Sequence, residues 1–199
     1  MSKRQSPNSP RRPLSVKIPS TPYVLRSTHY AFPMPASDQG LSLHRYMLIP
    51  RTLIFLRQGD SYLLLKGAPA KRLWAGRYNG LGGHVEAGED PLSAARRELL
   101  EETGLQADLW LCGAVAVDTG QNPGVCLFVF SGQSLGGAVE PSIEGTAEWV
   151  AFDALPSLPA VEDLPVLLAR VHAMRRGHPP FSARSCYDKD GRLVVRFTE

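Results

Sequence analysis

The sequence predicts an α+β domain built on a mixed β-sheet, and three observations predict it. Apolar runs of strand length recur from Leu43 onward. One amphipathic helix, at 91–103, is bounded at both ends by residues suited to start and stop it. Strands and helices do not alternate in the regular βαβ rhythm of a parallel sheet.

The elements follow in order. Residues 1–42 are basic and rich in Pro and Ser, with no sustained apolar period. Such a segment buries too little surface to offset its chain entropy, so it is expected to be a disordered extension. A targeting or nucleic-acid-contacting tail is the sharper alternative, although its prolines spoil the amphipathic helix of a transit signal. The folded domain is expected over 43–199. Arg45–Phe55 and Tyr62–Lys66 read as strands around the turn residues Gly59 and Asp60. A glycine-rich stretch runs from Gly76 to Gly88.

The helix at 91–103 comes next. Asp90 suits its N-cap, Pro91 its first position and Gly104 the residue past its end. Leu92, Ala94, Ala95 and Leu99 give it one apolar stripe. Strand patterns resume at Ala107–Val117, Val125–Phe130 and Glu148–Phe152. Leu164, Leu167, Leu168 and Val171 place a helix over 161–175. Residues 181–197 read as a hairpin turning at Asp188–Gly191.

Charge and cysteine usage narrow the function class. Residues 1–37 hold six Lys or Arg and no acid, which leaves 16 basic and 19 acidic residues in the remainder. A mildly acidic body is not a nucleic-acid-binding surface, so contact with nucleic acid is expected only through the basic N-terminal segment. No apolar run reaches the length of a membrane span. Cys112, Cys126 and Cys186 are odd in number, widely spaced and without a CxxC pair. They read as reduced thiols of a cytoplasmic protein rather than a zinc or disulfide framework.

The helix carries the chemistry. Glu98, Glu101 and Glu102 stand at i, i+3 and i+4, so their side chains leave one region of its surface. Like charges so placed repel unless something positive lies among them. Lys, Arg or a hard divalent cation such as magnesium or manganese would serve, and a solvated charged face is the plain alternative. Two features favour a ligand. The buried stripe fixes where the glutamates point, and Gly82-Gly83 ahead of the helix lets backbone approach closely.

The segment from Gly83 to Leu105 resembles the Nudix box at every fixed position: Gly83, Glu89, Arg97, Glu98, Leu99, Glu101, Glu102, Gly104 and Leu105. Nine fixed positions within 23 residues are a specific signal. The resemblance implies a Nudix-type α/β/α sandwich and metal-assisted cleavage of a diphosphate link, with Mg2+ or Mn2+ as cofactor. It implies that Glu98 and Glu102 are the main metal ligands, with Glu101 close by and the Gly82 carbonyl completing the set. Arg97 would orient Glu89, Gly83 would permit the tight loop, and Leu99 and Leu105 would be core. Family members often add an acid from a later loop. Glu144 stands where it is expected, with Glu140 and Glu148 as rivals. Glu101, Glu102 and Glu144 are all candidates for the general base.

The run around Arg77-Tyr78-Asn79-Gly80 resembles the subgroup that hydrolyses oxidised purine nucleoside triphosphates, typified by 8-oxo-dGTP diphosphatase. Asn79 would then read a base edge, since a carboxamide both donates and accepts. Tyr78 would line the base or serve as a core aromatic. Glu162 and Asp163 lie where some relatives place acids that read the purine. Lys66, Lys71, Arg72 and Arg77 would supply charge near phosphates, or simply be solvated. The expected partner is a small nucleotide. The alternatives are a nucleotide-sugar, ADP-ribose or dinucleoside polyphosphate substrate, or a silent nucleotide-binding module.

Overall fold

In the computed structural model, residues 40, 42, 44–70 and 73–198 are described. The 1–42 extension therefore lies outside the described residues, apart from Gly40 and Ser42. Eight strands form one mixed sheet: β1 (Leu48–Gln58), β2 (Ser61–Gly67), β3 (Tyr78–Asn79), β4 (Ala107–Val117), β5 (Gly124–Ser134), β6 (Gly145–Ala151), β7 (Phe181–Tyr187) and β8 (Leu193–Phe197). Their order is β3-β2-β1-β5-β4-β7-β8, and β6 pairs with β2. β1 runs parallel to β5 and antiparallel to β2, so the sheet is mixed as expected. Helices α1 (Pro91–Thr103) and α2 (Leu164–His172) complete the fold. No helix among the described residues is long and apolar enough to cross a membrane.

The helices cover opposite faces. Leu53, Phe55, Tyr62 and Leu64 pack into one core cluster with Leu164, Leu167, Leu168 and Val171 of α2. Ile54, Leu56, Leu63 and Leu65, at the intervening positions, pack into a second cluster with Ala95 and Leu99 of α1. A strand covered on both faces needs apolar residues at every position, which is why 53–56 and 62–65 read as unbroken apolar runs.

Most elements fall where the sequence places them, and α1 and β4 match in both bounds. The Asp90 side chain accepts from the Leu92 and Ser93 amides, and Gly104 is left-handed at φ 70°. The differences have local causes. β1 begins at Leu48 rather than Arg45. β5 runs on through Ser131–Ser134, because these polar residues still pair with β1 and β4, and the buried Ser131 hydroxyl donates to the Phe55 carbonyl at 2.9 Å. β6 begins at Gly145, not Glu148, since its backbone pairs with β2 down to Gly67. α2 is shorter than 161–175: the chain at Ala160 and Val161 is extended and bridged to Tyr78, and beyond His172 it closes in an i→i+3 turn, Met174 N to Val171 O. Two short elements carry no sequence signal: β3, and a 3-10 helix at Phe152–Ser157.

Candidate active site

The site begins with the way α1 is tied to the loop before it. Arg97 reaches back and holds Glu89 with two prongs, Nε to Oε1 at 2.8 Å and Nη2 to Oε2 at 3.0 Å. Paired, charge-assisted bonds of this kind fix geometry as well as energy. The same guanidinium donates to Glu98 Oε1 at 2.9 Å, Glu101 Oε2 at 3.0 Å and the His84 carbonyl at 3.0 Å. The hydrogen bond from Arg97, and then the Glu86 amide, hold the Glu89 carboxyl below its ordinary range. Glu89 and Glu98 in turn raise the Arg97 guanidinium. Two carboxylates about 5 Å apart repel by ~3 kcal/mol at an effective dielectric near 20, so a cation among them decides whether the helix tolerates the cluster. Arg97 is that resident cation for Glu89, Glu98 and Glu101.

Glu102 is placed differently. It is buried, and its Oε2 accepts from the Gly82 amide at 2.7 Å. The two glycines have separate jobs. Gly82 has φ 122°, a conformation side chains rarely adopt, and a Cβ there would lie 2.5 Å from the Thr52 carbonyl oxygen. A Cβ on Gly83 would instead strike the Glu98 carboxylate. The tight turn expected of Gly83 thus belongs to Gly82, and Gly83 gives Glu98 room.

A pocket of about 650 Å3 opens over these residues. Among the described residues, Glu86, Glu98, Glu101, Glu102 and Glu144 line it, together with one arginine, Arg51. Glu144 comes from the loop before β6, whose backbone is held by the Ala68 amide on the Glu144 carbonyl at 3.0 Å. Its two rivals stand elsewhere. Glu148 accepts from the Tyr78 hydroxyl at 2.9 Å, and the Glu140 side chain lies beside Gly104.

The NUDIX domain model matches residues 47–171, well over half the chain. The chain belongs to the NUDIX family. It is 35% identical over 107 residues to the oxidized purine nucleoside triphosphate hydrolase of Mus musculus, covering 53% of this chain and 67% of that protein. It is 33% identical over 141 residues to the NAD-capped RNA hydrolase NudC of Pseudomonas aeruginosa, covering 67% of this chain but only 48% of NudC. The chain thus spans about half the length of that relative. Among solved structures, it is similar to the MutT protein from Bacillus halodurans, with a TM-score of 0.63, 26% identity and coverage of 75% of this chain and 97% of the other. The chain carries a MutT-like NUDIX hydrolase domain, and its mixed sheet between two helices is the sandwich expected.

Within this NUDIX domain, the residues expected at the site divide into two groups. Glu98, Glu101, Glu102, Gly82 and Glu144 meet at the acid-lined pocket, with Arg97 and Glu89 behind them. Tyr78, Asn79, Arg77 and Lys66 do not line it. Tyr78 is buried in the core against α2, with Lys66 Nζ 5.5 Å above its ring. The Asn79 side chain accepts from the Gly80 amide at 2.8 Å, and Arg77 is exposed. Lys71 and Arg72 lie outside the described residues. β3 is nevertheless bonded to the segment that leads into Glu162 and Asp163, Tyr78 N to Pro159 O and Val161 N to Tyr78 O. Burial, and then the Glu162 charge, raise the Asp163 carboxyl above its ordinary value.

Arg51 and His84, which line the pocket, were not singled out from the sequence. Arg51 makes no salt bridge to a described residue. The one signal for it is a lone basic residue entering the apolar run of β1.

The donor set suits a hard divalent cation. It is all oxygen, from carboxylates and backbone, which is the preference of magnesium and manganese. Among the described residues no three His, Cys, Asp or Glu side chains converge as a ready-made ligand group. The reason is visible in the geometry: Arg97 draws Glu98 and Glu101 to itself, and Gly82 holds Glu102. Glu98 and Glu101 each keep a second carboxylate oxygen that Arg97 does not engage.

Proposed function

We propose that this protein is a divalent-metal-dependent hydrolase of modified purine nucleoside triphosphates, releasing the nucleoside monophosphate and pyrophosphate. One observation carries the metal dependence: among the described residues, five carboxylates and one arginine line a pocket that, on this reading, takes a polyphosphate. Such a pocket repels a nucleotide until cations offset it. Glu98, Glu102 and Glu144, with Glu101 and the Gly82 carbonyl, would hold the ion or ions. When bound, a magnesium or manganese ion supplies charge neutralisation for the phosphate oxygens and acidifies a water.

The chain's own residues do the rest. Arg97 and Glu89 lock α1 to its entry loop, so the glutamates keep their aim. Glu101, Glu102 or Glu144 takes the proton of the attacking water. Arg51, on the rim, meets a phosphate oxygen. Asn79 offers both donor and acceptor to a base edge. The Asp163 carboxyl keeps its proton to higher pH than an exposed one, so it suits donation to a purine. The likeness to the mouse oxidized purine nucleoside triphosphate hydrolase supports this substrate class. The three free cysteines accord with a cytoplasmic setting.

The match to NudC covers more of this chain, so an NAD-type dinucleotide cap is the second reading. A panel of oxidised and normal nucleoside triphosphates, nucleotide sugars, dinucleoside polyphosphates and NAD-capped RNA, with and without magnesium, decides between them. Glu102→Gln should stay folded and lose at least a hundredfold in turnover. Undiminished turnover in that variant, or hydrolysis indifferent to divalent ions, would overturn the assignment.

A further inference from the structure

A second pocket, of about 600 Å3, opens at the far end of α2. Its floor is the sheet. Register sets Arg57 of β1 beside Gln133 of β5 and Gln133 beside Asp108 of β4, with Trp110 and Ser131 paired one step further in. Its roof is the turn after α2, where Met174, Arg175 and Arg176 stand. Arg57 lies six residues along β1 from Arg51, or about 20 Å at ~3.3 Å per residue. The cavity is therefore separate from the acid-lined pocket, and its charge is opposite.

Among the described residues, three arginines line it against one carboxylate, Asp108. Arg176 takes that carboxylate, Nη1 to Oδ2 at 2.5 Å. Arg57 turns to Asp60 and to the Gly59 carbonyl at 2.7 Å. The Arg175 guanidinium makes no salt bridge to a described residue. Trp110 is half-buried against the core, and its indole N–H donates to no described residue. The cavity is thus lined by a cation without a described ion-pair partner, an indole whose N–H has no described acceptor, and Met174. Its volume lies within the ~300–1,000 Å3 of small-molecule sites.

We propose that this cavity is a second ligand site, for an aromatic anion of mononucleotide size. Its ring lies on Trp110 and Met174, and its phosphate or carboxylate meets Arg175 and Gln133. Arg175 gives charge and a planar fork, and Trp110 gives a face on which a ring stacks. Neither residue belongs to the hydrolytic machinery, so the inference stands or falls apart from that reading.

The test is a titration of the full chain with adenosine monophosphate, read on the indole N–H resonances. Trp110 is told from Trp74 and Trp149 by Trp110→Phe. The Trp110 resonance should shift and saturate. Arg175→Glu, an exposed change, should raise the Kd read at Trp110 at least tenfold and leave metal-dependent hydrolysis within twofold. Adenosine and ribose 5-phosphate, each carrying half of the recognised chemistry, should bind at least tenfold more weakly. A benzoate-type aromatic acid that saturates the same resonance would place the carboxylate within the ligand class, and its failure would restrict the class to phosphates. A Trp110 resonance that stays still, or that shifts equally in Arg175→Glu or with ribose 5-phosphate alone, overturns the proposal. Turnover is not the readout, so loss of the hydrolase reading would leave this result standing.

Discussion

Replacing Gly82 and Gly83 one at a time with alanine should separate folding from chemistry. At Gly82 the φ of 122° alone costs a side-chain-bearing residue ~1–3 kcal/mol. The new methyl would also lie 2.5 Å from the Thr52 carbonyl oxygen. That oxygen cannot simply yield. Thr52 is bonded through its amide to the Gly83 carbonyl at 2.8 Å, and β1 is paired with β5 there. Relieving such an overlap in packed structure costs a further ~1–3 kcal/mol. The sum, roughly 2–6 kcal/mol, is a large part of the ~5–15 kcal/mol that holds a domain together. At ~2–4 °C per kcal/mol for a domain of this size, Tm should fall by about 10 °C.

At Gly83 the obstacle is only the end of the Glu98 side chain, which can swing aside for ~1 kcal/mol. Gly83→Ala should therefore melt within about 3 °C of the parent. Glu98 would leave its place beside Arg97 and the pocket, so turnover should fall at least tenfold. Thermal melts by circular dichroism, with magnesium-dependent pyrophosphate release on the same samples, read both. A Gly82→Ala protein that melts with the parent, or a Gly83→Ala protein with full turnover, refutes the reasoning.

Three further outcomes follow from the same geometry. Glu89 has its carboxyl lowered by Arg97, so its contribution to stability is present above the ordinary value of 4.5 and is lost as pH falls below it. Tm measured against pH should drop on the acid side, and Glu89→Gln should flatten part of that drop; parallel curves would count against the pairing. Asp163 is the opposite case: burial raises its carboxyl, so the folded state loses stability as pH rises through the raised value. Asp163→Asn, which mimics the protonated acid, should raise Tm at pH 7 and leave it unchanged at pH 3, and a lower Tm at pH 7 would show the burial argument to be wrong. Tyr78→Phe removes the hydroxyl donated to Glu148 at 2.9 Å, and should cost about 1 kcal/mol with kcat/KM within threefold. A large loss of kcat/KM without a change in melting would return Tyr78 to the substrate site.

What the sequence determined by itself is local. The limits of α1 were legible because Asp90, Pro91 and Gly104 satisfy or spare the helix-end backbone groups within a few residues of themselves. The grouping of Glu98, Glu101 and Glu102 followed from helical spacing, and the strand runs from the apolar pattern. Tertiary structure decided everything that depends on residues far apart in the chain. It closed Ser131–Ser134 into β5 through partners on β1 and β4. It put Tyr78 into the core rather than on the rim. It brought Glu144, and not Glu140 or Glu148, into the acid-lined pocket, and it supplied Arg51 from β1. Periodicity reports which way a side chain leaves its own element; which side chains it then meets is set by sheet register and loop closure, and those are properties of the packed chain.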